Sequence, residues 1–139
     1  MIPYSKQDIS AEDVHALTKA LKSELITQGP EVQTFETKCS DFLSAKYSLA
    51  VNSATSGLIL ACKALDIGEG DIVWTSPNSF VASANCVMLC GASIDFIDID
   101  KKTFNISMQA LELKLKQAKK KNKLPKVIIP VHFAGQPCD

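Results

Sequence analysis

The residues best suited to chemistry lie between Ser48 and Leu60. There Leu49-Ala50-Val51 runs into Asn52-Ser53-Ala54-Thr55-Ser56-Gly57, and Leu58-Ile59-Leu60 follows. An apolar run, a cluster of small hydroxyl residues and a second apolar run with helical spacing read as strand, tight turn and helix start. The first N–H groups of a helix have no intrahelical acceptor and sit at the positive end of its dipole. With the hydroxyls of Ser53, Thr55 and Ser56 beside them they make an anion site, for phosphate above all. The plainer reading of the same residues is a capped helix without a ligand, because Ser, Thr and Asn are common caps.

Other candidates are weaker taken singly. Phe80 follows Asn78-Ser79 just after an expected strand, where its ring either stacks on a flat cofactor ring or fills core. His132 and Gln136 flank Gly135 at another strand end. His132 is a candidate general base, yet no carboxylate partner stands near it in sequence, which favours a histidine hydrogen-bonded within its loop. Asp98 and Asp100 alternate around Ile99; without a third acidic neighbour, capping a turn is favoured over metal binding. Cys86 and Cys90 are one helical turn apart, but neither His nor further Cys adjoins them, so chelation is not favoured. No serine-nucleophile elbow, GxGxxG or P-loop lysine motif is present.

The elements that must position these residues are legible in the pattern. Ser10 and Asp13 have capping-box spacing, and Val14, Leu17 and Leu21 predict a helix from about Ser10 to Ser23. After a break at Thr27-Gln28-Gly29-Pro30, Val32, Phe35, Cys39 and Phe42 mark one face of a second helix. The strand Leu49–Val51 and a helix from about Thr55 to Leu65 come next. Strands are expected at Asp71–Trp74, Ser93–Ile97 and Lys126–Pro130, with helices from about Val81 to Cys90 and Met108 to Lys121. Alternating strands and helices make an α/β fold: a mostly parallel sheet with helices on both faces. Ligands of such sheets bind at the carboxyl ends of the strands. The tips Asn52–Ser56, Ser76–Phe80 and His132–Gln136 all fall at such ends, so three loops are expected to share one site.

Bulk composition bounds the rest. The 139 residues suffice for a domain with a real core, and the 15 basic and 15 acidic side chains cancel. With no basic excess, nothing points to a nucleic-acid partner or a membrane surface. Lys119-Lys120-Lys121 and Lys123 complement the end of a polar helix. No apolar stretch reaches the roughly 18 residues of a membrane span, and Met1–Lys6 lacks the core of a signal peptide. Five cysteines without a CxxC pair fit buried free thiols in a reducing compartment, and a cytoplasmic location is expected.

Taken together, the ordered segments resemble the DegT/StrS-type sugar aminotransferases. The resemblance is carried by Leu25-Ile26-Thr27-Gln28-Gly29-Pro30, Val51–Leu58, Pro77–Asn85, Asp98-Ile99-Asp100 and Pro130–Pro137, and it runs essentially from end to end. It implies pyridoxal 5′-phosphate (PLP) as cofactor and the large domain of a type I aminotransferase as fold. On that implication residues 1–30 are an N-terminal arm and helix, and residues 31–139 are part of the PLP-binding domain. By position, Ala54, Thr55 and Ser56 would meet the PLP phosphate, and Phe80 would lie on the pyridine ring. Tyr4, Glu24, Leu25, Ile26 and Thr27 would touch a nucleotide-sugar substrate. The runs Pro3–Ser10 and Val73–Pro77 are similar to the branch of the family serving pseudaminic acid biosynthesis. That branch moves an amino group, here expected from L-glutamate, to C4 of a UDP-linked 4-keto-6-deoxy sugar, in a homodimer whose active sites form at the subunit interface.

The resemblance also implies residues that Met1–Asp139 does not supply: the lysine that holds the cofactor and the aspartate facing its ring nitrogen. The chain stops just past a strand, so it is read as the N-terminal portion of a longer enzyme, inactive by itself. Two alternatives stay open. One is a PLP-dependent sugar dehydratase of the same family, in which histidine replaces the lysine. The other is a truncated product that only binds.

Overall fold

The computed structural model describes residues 6–139, which form parts of two compact units, Met1–Ala50 and Val51–Asp139. Tyr4, expected at the sugar substrate, lies outside the described residues.

The first unit contains helices α1 (Ala11–Leu21) and α2 (Pro30–Leu43). The expected capping box closes α1. The Asp13 N–H donates to Ser10 Oγ at 3.2 Å, and the Ser10 N–H donates to Asp13 Oδ2 at 2.8 Å. The Ser10 N–H, and then the Ser10 hydroxyl donating to the same carboxylate oxygen at 2.9 Å, hold the Asp13 carboxyl below its ordinary pKa. Helix α2 starts with Pro30 in its first turn, where a missing N–H costs nothing. Gly29 before it is required sterically, since a Cβ there would lie 2.2 Å from the Leu25 carbonyl oxygen.

The second unit runs α3 (Ala54–Ala64), β1 (Ile72–Thr75), α4 (Ala82–Leu89), β2 (Ser93–Phe96), α5 (Met108–Lys120), β3 (Val127–Ile129) and a 3-10 turn (Phe133–Gly135). The three strands pair in parallel in the order β2-β1-β3, with Val73 opposite Ile94 on one side and Val127 on the other. The doubly covered sheet follows from β1, whose alternate residues point to opposite faces. Val73 faces Cys62, Ile67, Cys86, Val87 and Ala92, from α3, α4 and their connections. Trp74 faces Ile97, Ile106 and Ala118, beneath α5. Val73 is fully buried and Trp74 nearly so, as expected where a parallel strand is covered on both sides. Lys114 lies over the Trp74 ring at 4.9 Å and pairs with Asp95 at 2.8 Å. Burial opposes ionisation of Asp95, but hydrogen bonds from Lys114 and the Phe96 N–H outweigh it and hold the carboxyl below its ordinary pKa.

One expected element differs. Leu49–Val51 is not a strand. The Ala50 N–H that a ladder would use donates instead to the Glu36 carboxylate at 2.8 Å. A strand exists only with a hydrogen-bonded neighbour, and among the described residues none pairs with this segment.

Candidate functional site

The turn expected after Val51 forms, as the start of α3. Ser53 is the N-cap, and its Oγ accepts the Ser56 N–H at 3.1 Å. The Gly57 N–H goes to the Ser53 carbonyl, also at 3.1 Å. Among the described residues no acceptor takes the N–H of Ala54 or Thr55. No acidic residue occupies the first turn, so nothing there repels an anion. Ala54 is exposed, and Thr55 and Ser56 are half-buried. Two free N–H groups at a helix dipole's positive end, with three hydroxyls around them, suit a phosphate dianion such as that of PLP.

The direction of α3 aims this turn. Lys126, just before β3, donates to the carbonyl of Asp66, just beyond α3, and pairs with Asp71, just before β1, at 2.8 Å. The end of α3 is thereby fixed at the amino edge of the sheet. Leu58, Ile59 and Cys62 pack the helix along the face of Val73, so its first turn points toward the carboxyl edge.

At that edge β1 delivers Ser76–Phe80. A small cleft is lined by Thr75, Ser76, Ser79, Phe80, Ser83 and Phe96 among others. Thr75 Oγ1 donates to the Ile129 carbonyl at 2.8 Å, locking β1 to β3 at their ends. The hydroxyls of Ser79 and Ser83 share a 2.8 Å hydrogen bond across the start of α4. Phe80 is 76 % exposed, so its ring is not core.

The third loop leaves β3 at the same edge. His132 is exposed, and its Nδ1 accepts the Cys138 N–H at 3.1 Å. This is a histidine hydrogen-bonded within its loop. Asp100 caps a turn: Oδ1 accepts the N–H groups of Lys102 at 2.8 Å and Thr103 at 3.1 Å. These bonds hold its carboxyl below the usual value. Cys62 and Cys86 are buried, with their sulfurs 3.8 Å apart. Burial foremost, then the Cys86 hydrogen bond, pushes the Cys62 thiol up to about 11.

Glu24, Leu25, Ile26 and Thr27 belong to the first unit, in the turn joining α1 to α2. All four are exposed. Leu25 and Ile26 line an apolar groove with Leu17, Leu21 and Val32.

Sequence reasoning missed Asn105. It is 4 % exposed, although it lies in irregular chain before α5. Its Oδ1 accepts the Phe133 N–H at 2.8 Å, and its Nδ2 donates to the carbonyls of Gln136 and Pro137, each at 3.0 Å. The only local signal is one amide between Phe104 and Ile106, which periodicity does not single out.

Known proteins share this architecture. The family described as DegT/DnrJ/EryC1/StrS aminotransferase matches residues 7–139. A UDP-4-amino-4,6-dideoxy-N-acetyl-beta-L-altrosamine transaminase of Campylobacter jejuni is 46% identical over 115 residues, covering 83% of this chain and 30% of the relative. Helicobacter pylori PseC, an aminotransferase involved in the biosynthesis of pseudoaminic acid, superposes with a TM-score of 0.86. It is 33% identical over 99% of this chain and 36% of its own. A Streptococcus pneumoniae protein described as a sugar aminotransferase, solved in a PLP form, gives a TM-score of 0.85. It is 30% identical, over 99% of this chain and 34% of its own. The chain belongs to the DegT/DnrJ/EryC1/StrS aminotransferase family. It spans about a third of the length of the relatives it matches. No helix among the described residues is long and apolar enough to cross a membrane.

Proposed function

We propose that this chain provides the phosphate cradle and the ring-stacking face of a PLP-dependent sugar aminotransferase. The single observation that carries the reading is the first turn of α3. It combines unpaired N–H groups on Ala54 and Thr55, hydroxyls on Thr55 and Ser56, no acidic neighbour, and a direction toward the carboxyl edge. When bound, PLP supplies a reactive aldehyde and an electron sink. The chain's own contribution is to hold the phosphate at the α3 turn and to lay the Phe80 ring against the pyridine.

Family membership and the similarity to a UDP-sugar transaminase support a nucleotide-sugar substrate. The proposed acceptor is C4 of a UDP-linked 4-keto-6-deoxy sugar of the pseudaminic acid type, with L-glutamate as amino donor. Tyr4 and Glu24–Thr27 are the proposed sugar contacts, in a cytoplasmic homodimer. Residues 31–139 are proposed as part of the cofactor domain, after an arm and helix at 1–30.

The test compares PLP with pyridoxal, which lacks the phosphate, by absorbance titration of the full chain and of Thr55→Ala. A hydrogen bond to a charged group contributes about 1.5–3 kcal/mol, so the variant should bind PLP roughly 10- to 150-fold more weakly. Its weak binding of pyridoxal should not change. If the protein binds PLP no better than pyridoxal, or T55A weakens both alike, the phosphate assignment is wrong.

A further inference from the structure

We infer that Asn105 is a positioning residue, whose carboxamide sets the shape of the Phe133–Pro137 segment at the carboxyl edge and thereby the cofactor site; its link to the cofactor rests on the function proposed above. Three side-chain hydrogen bonds, each spanning about thirty residues of sequence, converge from this one amide on one loop. The acceptor meets an N–H and both donor hydrogens meet carbonyls, so the group is oriented unambiguously. Burial makes those partners obligatory, because water cannot replace the amide once it is displaced.

The backbone around the amide is held in an unfavourable form. Phe104 has φ 60° and Ala134 φ 52°, left-handed values that a side chain disfavours. The rings of Phe104 and Phe133 lie 6.1 Å apart. A left-handed residue in each of the two segments that the amide joins shows that their shape is imposed by tertiary bonds, not by local preference. The same segment reaches the β1 loop, since Asn78 Nδ2 lies 3.5 Å from the Phe104 carbonyl oxygen. Asn78 is two residues from Phe80. The 104–105 peptide thus joins the loop that carries the stacking ring to the loop that carries His132 and Gln136.

No other side chain of this size fits. Aspartate keeps the acceptor for the Phe133 N–H but turns a carboxylate toward two carbonyl oxygens. Alanine removes all three bonds. The test is amide hydrogen exchange, read residue by residue by NMR on the full chain, with Asn105→Asp and Asn105→Ala. In N105D the Gly135 and Gln136 amides should exchange roughly tenfold faster while Phe133 stays protected; in N105A Phe133 should speed up as well. Val73 and Trp74 in the core report global stability and should not change. If N105A loses core protection, N105D alone decides.

PLP titration is the second arm, and affinity should fall in both variants. Unchanged loop amides overturn the inference. Faster loop amides with unchanged PLP affinity overturn the link to the site. If the unmodified protein binds no PLP, the amide pattern still decides the role of Asn105, and the failure belongs to the proposed function.

Discussion

Replacing Gly57 with alanine separates a glycine kept by the fold from one that is not. Gly57 is the fourth residue of α3, and its N–H already donates to the Ser53 carbonyl at 3.1 Å. A Cβ built there meets only Val51 Cγ2, at 3.5 Å, an ordinary van der Waals contact. Nothing must move to admit the methyl. What remains is backbone entropy: glycine inside a helix costs about 0.5–1 kcal/mol relative to alanine. Gly57→Ala should therefore stabilise the second unit by that amount. With a urea slope of about 1–2 kcal/mol/M, the midpoint should rise by roughly 0.3–1 M. Trp74 is the sole tryptophan and is buried at the centre of the same sheet, so its fluorescence reads the transition directly. The new methyl faces Val51, not the free N–H groups of Ala54 and Thr55, so PLP affinity should hold. A midpoint that falls would refute the packing argument. A midpoint that rises while PLP affinity collapses would mean that the ligand approaches Gly57 itself.

Two further outcomes follow from titrating groups. The Lys126 hydrogen bond, then the Gly68 N–H, hold the Asp71 carboxyl below its ordinary value of about 3.9. A lowered native pKa contributes stability that is full above the unfolded value and is lost as pH falls through the native one. Asp71→Asn should therefore lose less stability than the unmodified protein between pH 6 and pH 3; equal losses would show that the pair does not act. With its thiol raised to about 11, Cys62 should resist iodoacetamide at pH 8 in the native protein and react once unfolded. Mass-spectrometric labelling of native Cys62 as fast as half-buried Cys39 would contradict its burial between α3 and α4.

How much of this was legible beforehand depends on the range of the interaction. The capping box at Ser10 and the helix start near Thr55 are local devices, each written in a few adjacent residues, and both form; Pro30, expected in the break, instead opens α2. The parallel sheet was legible because strands and helices alternate. The Leu49–Val51 segment was misread because an apolar run shows only that a strand is possible. Glu36, fourteen residues before Ala50, takes the N–H instead, and no pattern inside the run could announce it.

The candidate site divides the same way. The half proposed to bind phosphate, Ser53 to Ser56, is one turn of helix, and its position could be derived from spacing alone. The loop that faces the same edge is different in kind. His132 and Gln136 stand out by residue type, yet what fixes their backbone is an amide about thirty residues away. The left-handed Phe104 and Ala134 are backbone states their side chains oppose, so local propensity reads against the conformation that forms. A site assembled at the carboxyl edge of a parallel sheet draws each loop from a different strand. Its candidate ligand groups can thus be named from sequence, while the groups that hold the loops in place appear only when the fold brings Asn105 against the β3 loop.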